Sequence, residues 1–212
     1  MSIFKEKLNK NLYNTLLEIG FEEPKQIQEK LIARINGGAD VIGVGPDGVG
    51  KTTTIAICII NKLKQAFEDA PRALIIMPTV GKVDEAEEQY KRLSANTDLR
   101  ICIAHEAGRI NKQAGFDEQG EKIYAGCDII IATPKRAFDL YLKQHININK
   151  LNFYVIDDVE GMLKNDFQGQ IDRVVNSLPK CQHLVFTNNY NEKVEKLTAR
   201  FLINPTIIEV ES

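Results

Sequence analysis

The stretch VIGVGPDGVGKTTTIAICII, residues 41–60, carries three signals in a fixed order. VIGV (41–44) is a short apolar run of the kind that strands buried on both faces show. GPDGVGKT (45–52) fits G-x-x-x-x-G-K-[ST], and an apolar helical pattern follows it. The spacing has a physical reason. Glycines let the loop wrap so that backbone N–H groups converge on phosphate oxygens, and the loop feeds a helix N-terminus whose dipole favours negative charge. Gly45, Pro46, Asp47, Gly48, Val49, Gly50, Lys51, Thr52 and Thr53 are therefore the candidate cradle. Lys51 reaches for β- and γ-phosphates, and the Thr52 hydroxyl for Mg²⁺. The plainer alternative is a glycine-rich turn with an exposed lysine, but the strand–loop–helix context argues against it.

Similar apolar runs recur outward from this stretch: ALIIM (73–77), RICIA (100–104), DIIIA (128–132), FYVID (153–157), HLVF (183–186) and TIIEV (206–210). Amphipathic helical patterns lie between most of them, over about 51–67, 82–94, 134–144, 168–178 and 191–202. This alternation predicts an α/β fold with a mostly parallel sheet and helices on both faces. Ligands then bind at the carboxyl ends of the strands. Residues 1–38 are expected to form a separate helical segment, broken at Gly20 and Pro24, packed on a core of 39–212. The polar stretch 105–122 is expected to be an irregular, mobile surface connection.

At 212 residues with 43% hydrophobic side chains, the chain suits one compact domain. Its 27 basic and 29 acidic residues give a net charge of −2, which excludes a strongly basic nucleic-acid binder but not local basic patches. Cys58, Cys102, Cys127 and Cys181 form no CxxC pair and sit in or beside apolar runs. They are expected to be small core residues of a reducing compartment rather than zinc ligands or disulfides. His105, His145 and His183 are scattered, with no nucleophile elbow to make a hydrolase triad. No apolar stretch is long enough to span a membrane and the N-terminus has no signal-peptide pattern, so the expected location is cytoplasmic.

A phosphate site needs a carboxylate at the end of a nearby strand, and YVIDD supplies it. Asp157 ends the apolar run, where it could hold Mg²⁺ through water, and Asp158 could orient an attacking water. Taken alone, the same carboxylates would more simply cap the next helix.

Together these residues resemble the first RecA-like domain of DEAD-box RNA helicases, over nearly the whole chain. Gly20-Phe21-Glu22-Glu23-Pro24-Lys25-Gln26-Ile27-Gln28 is similar to the family's adenine-recognition segment GFxxPxxIQ, Thr133-Pro134-Lys135-Arg136 to TPGR, and Asp157-Asp158-Val159-Glu160 to DEAD. Pro78-Thr79 resembles the start of the motif after the second strand, and Phe201-Leu202-Ile203-Asn204-Pro205 the end of the domain. The resemblance implies a RecA-like P-loop NTPase fold, with ATP and Mg²⁺ as ligands. It implies that Gln28 reads adenine through a bidentate amide, alongside Phe21. Phe4 either stacks on the base or packs against the domain. Thr79, Thr133, Pro134 and Arg136 would contact the RNA backbone, and Glu160 would couple hydrolysis to strand separation through Thr187-Asn188-Asn189. A second RecA-like domain, which the family carries after a short linker, has no counterpart in these residues. It would have to act in cis or in trans.

The departures from the family pattern shape the functional expectation. Val80-Gly81 stand where the family has Arg-Glu, Lys135 replaces a Gly, and the double-glycine motif is at best Ala107-Gly108. Asp158 is one methylene shorter than the family's catalytic Glu, and a misplacement of about 1 Å can cost on the order of 100-fold in rate. Glu160 replaces an Asp, and Thr187-Asn188-Asn189 replaces Ser-Ala-Thr. Either Glu160 meets an Asn side-chain amide in a rebuilt network, or the coupling is lost. The expected behaviour is weak ATP–Mg²⁺ binding, very slow hydrolysis and no unwinding by this chain alone. The alternative is a catalytically silent nucleotide- or RNA-binding module that acts through a partner. A P-loop nucleotide kinase accounts for the loop but not for Gln28, TPKR and DDVE together.

Overall fold

In a computed structural model of the chain, residues 2–106 and 112–211 are described. Seven strands form one sheet among them: β1 (Val41–Val44), β2 (Ala73–Ile76), β3 (Ile101–Ala104), β4 (Ile129–Ala132), β5 (Phe153–Asp157), β6 (Gln182–Thr187) and β7 (Thr206–Glu209). All pairings are parallel, in the order β3-β4-β2-β5-β6-β1-β7. The helices are α1 (Ile3–Lys7), α2 (Lys10–Glu18), α3 (Gln26–Asn36), α4 (Lys51–Leu63), α5 (Val80–Leu93), α6 (Lys112–Tyr124), α7 (Pro134–Leu142), α8 (Val159–Lys164), α9 (Gln168–Val175) and α10 (Glu192–Thr198).

The period of two along each strand sorts apolar side chains to both faces. On β5, Phe153 and Val155 join one core while Tyr154 and Ile156 join the other. On β2, Ala73 and Ile75 divide from Leu74 and Ile76 in the same way. Helices α1 to α5 cover the first face and α6 to α10 the second. Crossovers on both sides of the sheet follow from these doubly buried strands, which leave no face for water.

Residues of the N-terminal segment share the first core: Phe4, Leu12, Leu16, Ile27 and Leu31 are all buried with Ile55 and Tyr90. Asn9 ties α2 to α4 by donating its backbone N–H to Asn61 Oδ1 at 2.7 Å and accepting from Leu12 N as the helix cap. Cys58, Cys102 and Cys127 are buried, Cys181 is half-buried, and all four are free thiols.

Within the stretch 105–122, expected to be an irregular connection, residues 112–122 are helical instead. Helix α6 begins at Lys112 and runs to Tyr124, with Ile123 buried in the second core. The Ala107-Gly108 pair lies outside the described residues.

Candidate nucleotide site

The sheet order sets the site. Strand β6 lies between β1 and β5, so the phosphate loop after β1, Asp157 at the end of β5 and Thr187-Asn188-Asn189 after β6 meet along one carboxyl edge. In the loop, Gly48 and Gly50 adopt φ of +85° and +99°, the left-handed region where a side chain is strained. Gly50 is the N-cap of α4 and no side chain caps that helix. The first-turn amides of Lys51, Thr52 and Thr53 therefore have no carbonyl behind them, as at any helix start, and remain open to an anion.

Lys51 is buried and folds back over the loop. Its Nζ donates to Gly45 O at 2.5 Å, Pro46 O at 2.9 Å and Asn188 Oδ1 at 2.7 Å. Burial lowers its pKa against the opposing charges of Asp47 and Asp157. Asp47 is exposed and lies 3.8 Å from the same ammonium. Thr52 Oγ1 donates to Asp157 Oδ2 at 2.5 Å. Burial pushes the Asp157 carboxyl up to about 6, against the Thr52 bond and the charges of Lys51 and Lys82. Thr53 is buried and its hydroxyl accepts from Gln89 Nε2 at 2.5 Å.

Asp158 sits in a left-handed conformation, φ +76°, and caps α8 by accepting from Gly161 N at 2.9 Å through Oδ1. Its other oxygen, Oδ2, is ion-paired with Lys82 Nζ. The pattern alone offered a water-orienting or a helix-capping role for this residue, and the cap is formed. Lys82 escaped sequence reasoning. The available signal was an unexpected lysine three residues after Thr79, the N-cap of α5, in the helix that follows the strand paired with β5.

Glu160 gathers the end of β6. Its Oε1 accepts from Thr187 Oγ1 at 2.6 Å, Asn188 N at 2.8 Å and Asn189 N at 2.7 Å. The expected contact with an Asn side-chain amide is not made, because backbone amides take that place. The Asn188 side chain turns instead to Lys51.

At the base end, Gln28 is 1% exposed. Its Oε1 accepts from Lys25 N at 2.8 Å, while its Nε2 has no partner. Lys25 reaches over the loop and donates to Gly48 O at 2.7 Å. Phe21 is partly buried against the first core. Phe4 corrects an expectation: it is 0% exposed in that core, so its ring has no face left for a base, and the packing alternative holds.

The residues expected to touch RNA divide. Thr79 is exposed and caps α5. Thr133, Pro134 and Arg136 are buried at the start of α7. Thr133 Oγ1 donates to Glu106 Oε2 at 2.6 Å and Arg136 Nη1 to Gln119 Oε1 at 3.2 Å. As they stand, these side chains serve interior bonds. The exposed cation at that helix start is Lys135, which lies 3.4 Å from Asp139.

The donor set fits the groups a phosphate loop implies. A hydroxyl and a buried carboxylate are hard oxygen ligands suited to Mg²⁺, and burial of Asp157 outweighs the Thr52 bond and the Lys51 and Lys82 charges in raising its pKa. The uncapped start of α4 suits a phosphate, and the orphaned Gln28 Nε2 is a donor without an acceptor.

Comparison with known proteins agrees with this geometry. A family model described as DEAD/DEAH box helicase matches residues 25–197. A probable ATP-dependent RNA helicase ddx52 from Dictyostelium discoideum is 29% identical over 201 residues, covering 94% of this chain and 29% of that protein. The ATP-dependent RNA helicase RhlB of Pseudomonas putida is 29% identical over 215 residues, covering 97% of this chain and 52% of its own length. The chain thus spans about half or less of these relatives. A solved DEAD box protein from Methanococcus jannaschii superposes with a TM-score of 0.88 at 22% identity, over 99% of this chain and 56% of that one, and so shares the fold.

Proposed function

Because the chain belongs to the DEAD/DEAH box helicase family, we propose that it is an ATP-binding RecA-like domain of an RNA helicase. The observation that carries this reading is the 2.5 Å bond from Thr52 Oγ1 to Asp157 Oδ2, which joins the loop of β1 to the carboxylate of β5 across β6. Loop amides and Lys51 hold the phosphates, with Lys51 leaving its carbonyl partners to do so. Thr52 and Asp157 hold Mg²⁺, whose chemistry is to neutralise charge building on the phosphate oxygens. Among the described residues no group of three or more His, Cys, Asp or Glu gathers, so this hydroxyl and carboxylate would share the ion with phosphate and water. Gln28 Nε2 donates to the base.

RNA would lie along the exposed Thr79 and Lys135, with contacts to its backbone that carry no sequence information. A second RecA-like body, in cis or in trans, would complete the cleft and bring further cations to the terminal phosphate. Without it, hydrolysis is very slow and duplexes are not unwound, since one such cation is worth about 10³–10⁵ in rate. Among the described residues no helix is long and apolar enough to cross a membrane.

The test is calorimetric titration with ATP–Mg²⁺ and GTP–Mg²⁺ on the wild type, Lys51→Ala and Gln28→Ala. Binding of ATP that Lys51→Ala removes supports the phosphate site. Equal affinity of the wild type for both nucleotides would overturn the adenine-reading role of Gln28.

A second reading, a catalytically silent nucleotide- or RNA-binding module, is favoured by one observation. Both Asp158 oxygens are engaged, one by Gly161 N and one by Lys82. Supplying a helicase second domain together with Asp158→Glu separates the two. Restored hydrolysis supports the helicase reading, and continued silence supports the module.

A further inference from the structure

Lys82 occupies a place in the pocket that the phosphate loop does not account for. The cavity beside the loop, about 170 Å³, is lined by Lys51, Thr52, Asp157, Asp158, Asn188 and Lys82 among others. Its cations are Lys51 and Lys82, set against the carboxylates of Asp47, Glu85, Asp157 and Asp158. Lys82 stands in the first turn of α5, whose start is fixed by the Thr79 cap. The root of its side chain is held, while its ammonium end is 41% exposed. Burial alone would lower its pKa, but the bond to Asp158 and the charges of Asp157 and Asp47 outweigh burial and raise it. Among the described residues the one hydrogen-bonded partner of its ammonium is Asp158 Oδ2. An ammonium has three N–H groups, so two remain for another acceptor.

The direction of the site decides which acceptor. Gln28 and Lys25 lie against Gly50 and Gly48 at the base end. Asp157 and Asp158 lie at the other end, where Lys82 of α5 pairs with Asp158. A phosphate chain laid on the loop runs from the first end to the second, so its last phosphate falls beside Asp158 and Lys82. On the reading of 45–52 as an ATP site, we infer that Lys82 is a specificity-determining residue, a second ammonium that contacts the terminal phosphate of a triphosphate and is out of reach of a diphosphate. Lys82 exchanges partners in doing so, from Asp158 Oδ2 to a phosphate oxygen. A diphosphate leaves the Lys82–Asp158 pair closed, whereas a triphosphate opens it and releases Asp158 Oδ2.

Titration calorimetry with ATP–Mg²⁺ and ADP–Mg²⁺ on the wild type, Lys82→Met and Lys82→Arg tests this. The wild type is expected to prefer ATP. Lys82→Met is expected to lose about tenfold to a hundredfold in ATP affinity, the range for a hydrogen bond to a charged group, with ADP affinity within about threefold of the wild type. Lys82→Arg keeps the charge and is expected to retain most of the preference. Thermal melts check that each variant is folded, and the exposed ammonium end makes that the expected result. Lys82→Met binding ATP as the wild type does, or losing ATP and ADP alike, overturns the inference while leaving the phosphate loop standing. A wild type that binds neither nucleotide overturns the ATP-site reading itself, and this inference with it.

Discussion

Thr52 Oγ1 and Asp157 Oδ2 lie 2.5 Å apart, a hydroxyl from the start of α4 on a carboxylate from the end of β5. The bond offsets part of the burial that raises the Asp157 pKa to about 6. Thr52→Val keeps the shape and removes the donor. It is expected to cost about 1–3 kcal/mol of stability, the range for stranding a buried acceptor. It is also expected to abolish the difference in ATP affinity between Mg²⁺ and EDTA. Urea unfolding and titration with and without the metal check the two effects separately.

Gln28 does two jobs with two atoms. Its Oε1 closes the cap of α3 on Lys25 N, and its Nε2 is left without a partner. Gln28→Ala should lose about 1 kcal/mol of stability with the cap and lose selectivity for ATP over GTP. Gln28→Glu keeps an acceptor for Lys25 but not the amide donor. Because the position is buried, the new carboxylate is expected to lower the melting temperature and to lose the selectivity, read by thermal melts and by paired titrations.

Glu160 holds one hydroxyl and two backbone amides on a single oxygen. Glu160→Ala removes all three acceptor interactions at once. Hydrogen exchange at the Asn188 and Asn189 amides is expected to speed by about tenfold or more, the equivalent of about 1.4 kcal/mol of lost protection. Unchanged exchange at these amides would show that Glu160 does not order this turn.

Asp128, whose side chain is 0% exposed, is held by Arg72 at 2.7 Å and Arg100 at 2.9 Å. Burial would raise its pKa, but the Arg100 and Arg72 bonds and the backbone donors outweigh burial and lower it. A carboxylate depressed in the folded state contributes stability above its unfolded pKa of about 3.9 and loses it as pH falls through the lower folded value. Urea midpoints should therefore drop as pH falls below about 4, and Asp128→Asn should flatten that drop. Asp128→Ala removes the shared carboxylate while Arg72 keeps Gln65 O and Arg100 keeps Glu68 O, and is expected to cost about 1–3 kcal/mol.

The sheet was legible because its strands are short runs of Ile and Val, and a face that meets core on both sides tolerates little else. The phosphate loop was legible because glycines at positive φ leave a mark in composition. Orientation was not. TPKR names Arg136 without saying that it turns inward with Ala137 and Leu140 while Lys135 turns out. Phe4 could not be told from a base-stacking ring until α1 was seen packing on α3. Helix α6 was hidden by Gly115 and Gly120 in a polar stretch, since glycine weakens any helical pattern. Lys82 was hidden because the partner that gives it meaning, Asp158, is distant in sequence and becomes adjacent only when β2 pairs with β5.

The neighbours of β1 are β6 and β7, with Val41 beside Leu184 and Thr206. During synthesis, therefore, this strand waits for most of the chain to emerge before it has anything to pair with. Pairings this remote form slowly, and an apolar strand without neighbours invites association with other chains. A ribosome halted before residue 182 would hold a nascent polypeptide with its glycine loop already made and nothing to seat it. Seating of the loop is then confined to the last stage of maturation, after β6 has emerged.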